Sequence, residues 1–210
     1  MPTWNELYAS GFTVTEPYPW VVQSRAALVA AGAHRVLDLG CGRGRHLVWL
    51  AREGLEAWGT DSSPIGVQGS RLWLEHESLP ACVALADMRS LPFATAAFDA
   101  VISIHVLYHA SRRGMQTALA AVARVLRPGG IFVATFLTTR AWKYGEGECL
   151  EPHTFVQMRG PEAGIPRHYC DEAEVRTLLT DFRVDRIHLD EFRDEAGDLQ
   201  SHWEVLAARA

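Results

Sequence analysis

Between residues 17 and 137 two apolar patterns take turns along the chain. One is a short run bounded by turn residues: 34–39 before Gly40, 56–60 before Asp61, 82–86 before Asp87, then 98–105 and 131–137. Runs of this kind predict buried strands, and 98–105, nearly all apolar, predicts a strand covered on both faces. The other pattern has apolar residues at helical spacing. It predicts helices over 17–31 (opening near Trp20), 46–52 (with Leu47, Leu50 and Ala51 on one side), 64–77 and 115–126. Ser63 before Pro64 is a helix start, and Arg127-Pro128-Gly129-Gly130 is a helix stop.

Strand and helix in regular alternation imply parallel pairing with right-handed crossovers, which is an open α/β sheet. After residue 137 the alternation breaks. Residues 138–166 are rich in Gly, Pro and Glu and have no period; the stretch is too long for a plain loop and reads as an insertion or lid. A helix returns at 172–180. Two last strands, 182–192 and 199–208, flank a turn at 194–198. The expectation is one domain over 1–210, with an N-terminal cap and helix (1–33), a core (34–137), the insertion (138–169) and a C-terminal helix and hairpin (170–210).

Composition narrows the function classes. Hydrophobic residues make up 48% and charged residues 21%, as in globular chains. A net charge of −5 without a basic run disfavours a nucleic-acid substrate held by bulk electrostatics. No apolar run approaches the ~18 residues of a membrane span, and residues 1–10 lack the order of a signal peptide. Cys41, Cys82, Cys149 and Cys170 form no CxxC pair, so free thiols in a reducing cytoplasm are expected. The expected protein is cytoplasmic, a monomer or homodimer, with no nucleic-acid or membrane partner.

The chemistry concentrates in Asp38-Leu39-Gly40-Cys41-Gly42-Arg43-Gly44, between the first strand and its helix. A helix N-terminus there exposes unpaired N–H groups, and glycine lets a ligand approach the backbone. Ligands of open α/β sheets sit at the carboxyl ends of the strands, where Asp38, Asp61 and Asp87 all stand. A dinucleotide fingerprint needs a third glycine at the position held by Arg45. An acid before the first glycine would repel a pyrophosphate and suits an ammonium group. An NAD(P)-dependent oxidoreductase is therefore the weaker alternative.

The run Val36-Leu37-Asp38-Leu39-Gly40-Cys41-Gly42-Arg43-Gly44-Arg45-His46 resembles the first motif of class I S-adenosylmethionine-dependent methyltransferases of the type 11/25-like group. The resemblance continues in the family's order at Gly59-Thr60-Asp61-Ser62-Ser63, at Ala86-Asp87-Met88 with Leu91-Pro92-Phe93, at Phe98-Asp99-Ala100-Val101 and at Leu126-Arg127-Pro128-Gly129-Gly130. It covers roughly residues 34–137. It implies an open, mostly parallel, seven-stranded Rossmann-like sheet with helices on both faces and a C-terminal antiparallel hairpin. It also implies S-adenosyl-L-methionine as methyl donor, with S-adenosyl-L-homocysteine as product, and direct transfer to a small-molecule acceptor. Carried over by position, Asp38, Gly40, Cys41 and Gly42 would hold the methionine part of the donor. Asp61 would take both ribose hydroxyls, and Ser62 would pack beside the adenine. Asp87 would accept from the adenine amino group, with Met88 over the ring. Ile104 and His105, ending the fourth strand, would lie near the sulfonium. Trp4, Tyr8 and Trp20 would close over the donor.

Acceptor-side residues are less determined. Gly145-Glu146-Gly147-Glu148, Glu151-Pro152-His153-Thr154-Phe155 and Gly164-Ile165-Pro166-Arg167-His168-Tyr169 resemble small bacterial methyltransferases, somewhat like tellurite-resistance and thiopurine-type enzymes. After the fourth strand stands His105-Val106-Leu107-Tyr108, not the N/D-P-P-[YFW] of base-amino methyltransferases. The catalytic candidates are His105 and His109 as general base and Tyr108 as pocket wall. His105 and His109 are spaced like a zinc pair, but no glutamate lies between them and no further ligands can be placed, so no metal is assigned. Cys41 reads as a small loop filler rather than a nucleophile. Trp142, Tyr144, Phe155 and Tyr169 fit a minor core and a substrate pocket equally well, and Glu146, Glu148 and Glu151 read as a solvated face. Because no catalytic motif is visible, a non-catalytic donor-binding protein is the second alternative.

Overall fold

Side chains on successive strand residues point to opposite faces, and the central strands use both. On β1 (Arg35–Leu39), Val36 joins an apolar layer with Trp20, Leu28, Leu47 and Leu74. Leu37 joins the opposite layer with Met115, Leu119 and Val122. Helices α2 (Pro19–Ala30), α3 (Arg45–Arg52) and α4 (Pro64–His76) supply the first layer. Helices α5 (Arg112–Val125) and α6 (Glu172–Leu178) supply the second. Each fully buried Leu, Val or Phe in these layers contributes about 1.5–3 kcal/mol.

The computed structural model describes residues 4–160 and 162–210; residues 1–3 of the N-terminal cap and residue 161 of the insertion lie outside these. Seven strands form one sheet in the order β3-β2-β1-β4-β5-β10-β9. The first five, β1, β2 (Glu56–Asp61), β3 (Ala81–Leu85), β4 (Phe98–Ser103) and β5 (Leu126–Leu137), pair in parallel. Strands β9 (Phe182–Arg193) and β10 (Leu199–Arg209) form an antiparallel pair, with β10 also antiparallel to β5. This is the open, mostly parallel Rossmann-like sheet with a C-terminal hairpin. Its register sets Asp38 opposite Gly59 and Ile102, so the ends of β1, β2 and β4 reach one edge together.

Side chains close the helix starts: Ser63, the start expected before Pro64, accepts from Gly66 N, and Ser111 and Asp171 do the same for Gly114 N and Glu174 N. Two expectations need correction. Strand β4 ends at Ser103, not at His105, because His105 turns at φ +59° and gives its N–H to Thr135 Oγ1. Strand β5 starts at Leu126, which pairs with Phe98 ahead of a bulge, so Arg127-Pro128-Gly129-Gly130 lies within the strand. The structure also adds α1 (Trp4–Ala9) and a small antiparallel sheet, β6 (Glu148–Glu151), β7 (Thr154–Val156) and β8 (Pro166–His168), inside the insertion. Those strands have three or four residues, too few for an alternation to show in sequence. Among the described residues no helix is long and apolar enough to cross a membrane.

Candidate active site

A cavity of about 1140 Å³ opens at the carboxyl edge of β1, β2 and β4. Its floor is the glycine loop. Gly40, Gly42 and Gly44 all have positive φ (+76°, +54° and +100°), a region L side chains rarely adopt. Sterics add to the requirement at two of them. A Cβ on Gly40 would stand 2.2 Å from Val106 Cγ2, and one on Gly42 would stand 2.5 Å from the Tyr8 hydroxyl. The loop is tied to the second strand by Gly40 N and Cys41 N, which both donate to Thr60 O.

Asp61, at the end of β2, clasps the loop. Its Oδ2 accepts from Gly42 N at 2.9 Å and its Oδ1 from Ser63 N at 2.8 Å. Each oxygen keeps a second lone pair, and the residue lines the cavity. Burial raises its pKa against those backbone bonds. Helix α1 closes over this corner: Asn5 Oδ1 accepts from Ser63 Oγ and Ile65 N, and Arg43 donates to Tyr8 O. Trp4 and Tyr8 therefore line the cavity. Trp20 does not: it is buried in the core and its indole N–H donates to Val205 O.

The remaining donor-side residues divide. Gly40, Cys41, Gly42, Ser62, Asp87, Met88 and Ile104 line the cavity. Asp38 stands behind the wall, 1% exposed, with Oδ1 3.9 Å from His46 Nδ1 and no hydrogen bond to Oδ2. Burial, opposed by Arg45 and helped by Asp61, raises its pKa to about 7. Both oxygens of Asp87 are held by Arg89, which keeps that carboxyl below its usual range. Burial, with Asp38 and Asp61 nearby, pushes the Cys41 thiol well up, so it is a poor nucleophile.

Beyond the loop the wall is made of rings. His105 meets Tyr18 and His202 edge to face, with centroids 4.8 and 4.5 Å away. Tyr108 lies 4.4 Å from His109, and Trp4 covers His109 at 4.6 Å. The Nδ1 atoms of His105, His109 and His202 are buried without a hydrogen-bond partner. Burial lowers the pKa of all three, to about 4 for His109 and His202, so the rings are neutral at neutral pH. Burial also raises the Tyr108 hydroxyl, which stays protonated. The guanidinium of Arg167 pairs with Glu162 at the same cavity. His202, Glu162 and Tyr18 escape sequence reasoning, and Arg167 enters it only within the run from Gly164 to Tyr169. They come from β10, β8 with its approach, and the N-cap of α2, with no motif joining them.

The insertion's aromatics split between the two roles open for them. Tyr144 and Phe155 pack with Tyr169 at 5.4–5.9 Å as a small core. Trp142 and Tyr169 line the cavity. Glu151 is not a plain solvated acid: it accepts from Arg112 N and Thr154 Oγ1. Glu146 and Glu148 are exposed.

Comparison with known proteins agrees with this geometry. Residues 36–130 match the family model of a methyltransferase domain. The chain is 39% identical over 105 residues to the methyltransferase GfsG of Streptomyces halstedii, covering 49% of this chain and 37% of that protein. It spans between 37% and 61% of the length of the first curated relatives it matches. Among solved structures, a methyltransferase of Methanosarcina mazei superimposes with a TM-score of 0.78 at 21% identity, over 92% of this chain and 98% of that one. Magnesium protoporphyrin IX methyltransferase of Synechocystis, solved with S-adenosylmethionine bound, has a TM-score of 0.66 at 20% identity, over 90% and 78%. With the family model on the loop and both adjoining strands, residues 36–130 carry a match to a methyltransferase domain, and the sheet has the fold of S-adenosylmethionine-dependent methyltransferases of known structure.

Proposed function

We propose that this chain is a cytoplasmic enzyme that transfers the methyl group of S-adenosylmethionine directly to a small-molecule acceptor. The observation that carries the reading is that the glycine loop and the neutral histidine cluster border one cavity. The loop fits the donor by its own features: backbone at positive φ, an acid at each strand end, and spare lone pairs on Asp61. Gly40, Cys41, Gly42 and Ile104 would hold the methionine end, Asp61 the ribose, and Ser62, Asp87 and Met88 the adenine. Asp87 reaches the adenine by releasing part of its pairing with Arg89. Asp38, behind the wall, acts through Arg45 and His46 rather than by contact.

When bound, the donor supplies an electrophilic methyl on a good leaving group. The residues of this chain then align the acceptor and exclude water. His105, neutral and lining the cavity, takes the proton of an O–H or N–H acceptor. Tyr108 stays a neutral wall and hydrogen-bond donor, and His109 orients the ring beside it. The acidic chain and the aromatic cavity favour a small molecule over nucleic acid. O-methyltransferases among the relatives are consistent with that choice.

Calorimetry with S-adenosylhomocysteine and with NADH tests the donor, and methyl transfer across phenols, carboxylic acids, amines and thiols tests the reaction. Binding of the homocysteine product alone, with turnover of at least one acceptor, is expected. NADH binding would revive the oxidoreductase reading. Donor binding without any turnover would favour the non-catalytic one.

A further inference from the structure

The extended segment from β8 through Cys170 presents two faces. Arg167 and Tyr169 line the cavity. His168 and Cys170, alternating with them, turn the other way and are 0% exposed. There they meet Glu174 from the first turn of α6. A His168 ring nitrogen, Cys170 Sγ and a Glu174 oxygen all lie within 4.8 Å of one another. His153, in the turn between β6 and β7, sets Nδ1 3.2 Å from Glu174 Oε2.

With a neutral His168 ring, hydrogen bonding in this cluster is one proton short. Thr154 Oγ1 lies 3.0 Å from Glu151 Oε1 and 2.7 Å from His168 Nδ1, and His168 Nε2 lies 3.2 Å from Glu174 Oε1. These three links need three protons. The hydroxyl has one, a neutral imidazole has one, and ionised carboxylates have none. Only the hydroxyl can fill the link to Glu151, so the imidazole proton sits on Nδ1. The Nε2 lone pair then points at a carboxylate oxygen, which is repulsive unless a second ring proton or a metal cation joins them. The sulfur of Cys170 beside that gap selects the cation. Imidazole, thiolate and carboxylate together are a donor set for Zn²⁺.

We propose that His168, Cys170 and Glu174 form a structural zinc site, with His153 holding the second oxygen of Glu174. Binding releases the Cys170 thiol proton to solvent, and thiolate plus carboxylate neutralise the metal's two charges. The surroundings match what supports such sites. Thr154 and Glu151 orient the His168 ring through Nδ1, and Arg112 donates to Glu174 Oε1 at 2.7 Å from outside. The site would fasten the insertion to the core, because His168 N donates to Tyr108 O and Cys170 N to Leu137 O. It thereby backs the cavity wall formed by Arg167 and Tyr169.

The test uses the full chain without a histidine tag. After incubation with zinc and desalting, one zinc per chain is expected by elemental analysis. Cobalt in its place should give a thiolate-to-metal charge-transfer band. Cys170→Ser should lose both, whereas a Cys82→Ser/Cys149→Ser variant should keep them. Should Cys170→Ser not fold, zinc retention, the cobalt spectrum and the fall in Tm with a chelator are read on the wild type. No retained zinc, a band that survives Cys170→Ser, or a zinc-free His168 ring shown by NMR to carry two protons would overturn the proposal. S-adenosylhomocysteine affinity is measured on the same sample, so failure at the metal and failure at the donor site are told apart.

Discussion

The glycine loop and the histidine cluster face the same cavity but are made differently. Gly40, Gly42 and Gly44 present main-chain atoms held at positive φ by one contiguous segment. His105, Tyr108, Arg167 and His202 present side chains from three separate stretches, brought together only when β8 and β10 are in place. The loop's shape is a local property that every member of a fold can reuse. The cluster's shape depends on tertiary packing, so it can be rebuilt for a new acceptor while the loop stays unchanged.

That contrast breaks if one residue serves both halves. The largest expected effect is on turnover alone: His105→Gln should lower kcat by about 10²–10⁴, the usual worth of a general base. S-adenosylhomocysteine affinity should stay within about twofold, since one tenfold change already means 1.4 kcal/mol. Burial holds the His105 pKa well below 6.5, so wild-type kcat should be flat at neutral pH and fall only in acid. The variant should lose that acid limb. A parallel loss of donor affinity would join the two halves.

Asp61→Ala is the reciprocal experiment. It removes the carboxylate that accepts from Gly42 N and Ser63 N and would accept from the ribose. Two lost hydrogen bonds to a charged group, at about 1.5 kcal/mol each, predict a fall of about 10²-fold in donor affinity by calorimetry. Asp61→Asn, which keeps one acceptor, should fall between. Unchanged affinity in Asp61→Ala would remove the loop from the site.

How legible each half is in sequence follows from the same difference. Strand and helix periods, Ser63 at a helix start, and the glycines of the loop are short-range features, and they fix the sheet and the loop. Asp38 marks the limit of motif reading: it stands at its expected strand end, yet behind the wall. Trp20 shows the same limit, since nothing local distinguishes a core tryptophan from one over a ligand. His202 carries no local signal, because its significance is contact with His105 and Tyr108, about 95 positions away. Insertion strands of three or four residues likewise escape a period that needs longer runs.

Asp38 sharpens the comparison through stability. Its folded pKa of about 7 lies above the ordinary 3.8, first because of burial. Between those values the folded chain holds a proton that the unfolded chain has released, so this residue's contribution falls as pH rises from about 4 to 7. Asp38→Asn should therefore raise the Tm at pH 8, by a stability gain on the order of 2 kcal/mol, and the gain should vanish toward pH 4. The same variant should bind S-adenosylhomocysteine more weakly. A stability gain without a binding loss would make Asp38 a packing residue only.

The smallest effects separate the insertion's two kinds of aromatic residue. Tyr144 meets His153, Phe155 and Tyr169 edge to face. At about 0.5–1.5 kcal/mol per such contact, offset by its partial exposure, Tyr144→Ala should cost about 1–2 kcal/mol of stability in a denaturant melt. Trp142 instead stands 41% exposed at the cavity rim with the Lys143 ammonium 4.3 Å over its ring. Trp142→Ala should change stability by less than about 1 kcal/mol and raise the acceptor KM only a few-fold, because a half-exposed contact loses little when removed. Donor affinity should be the same in both variants. If Trp142→Ala instead lowered stability as much as Tyr144→Ala, the rim would be an extension of the insertion's small core, and acceptor selection would fall to the ring cluster around His105 alone.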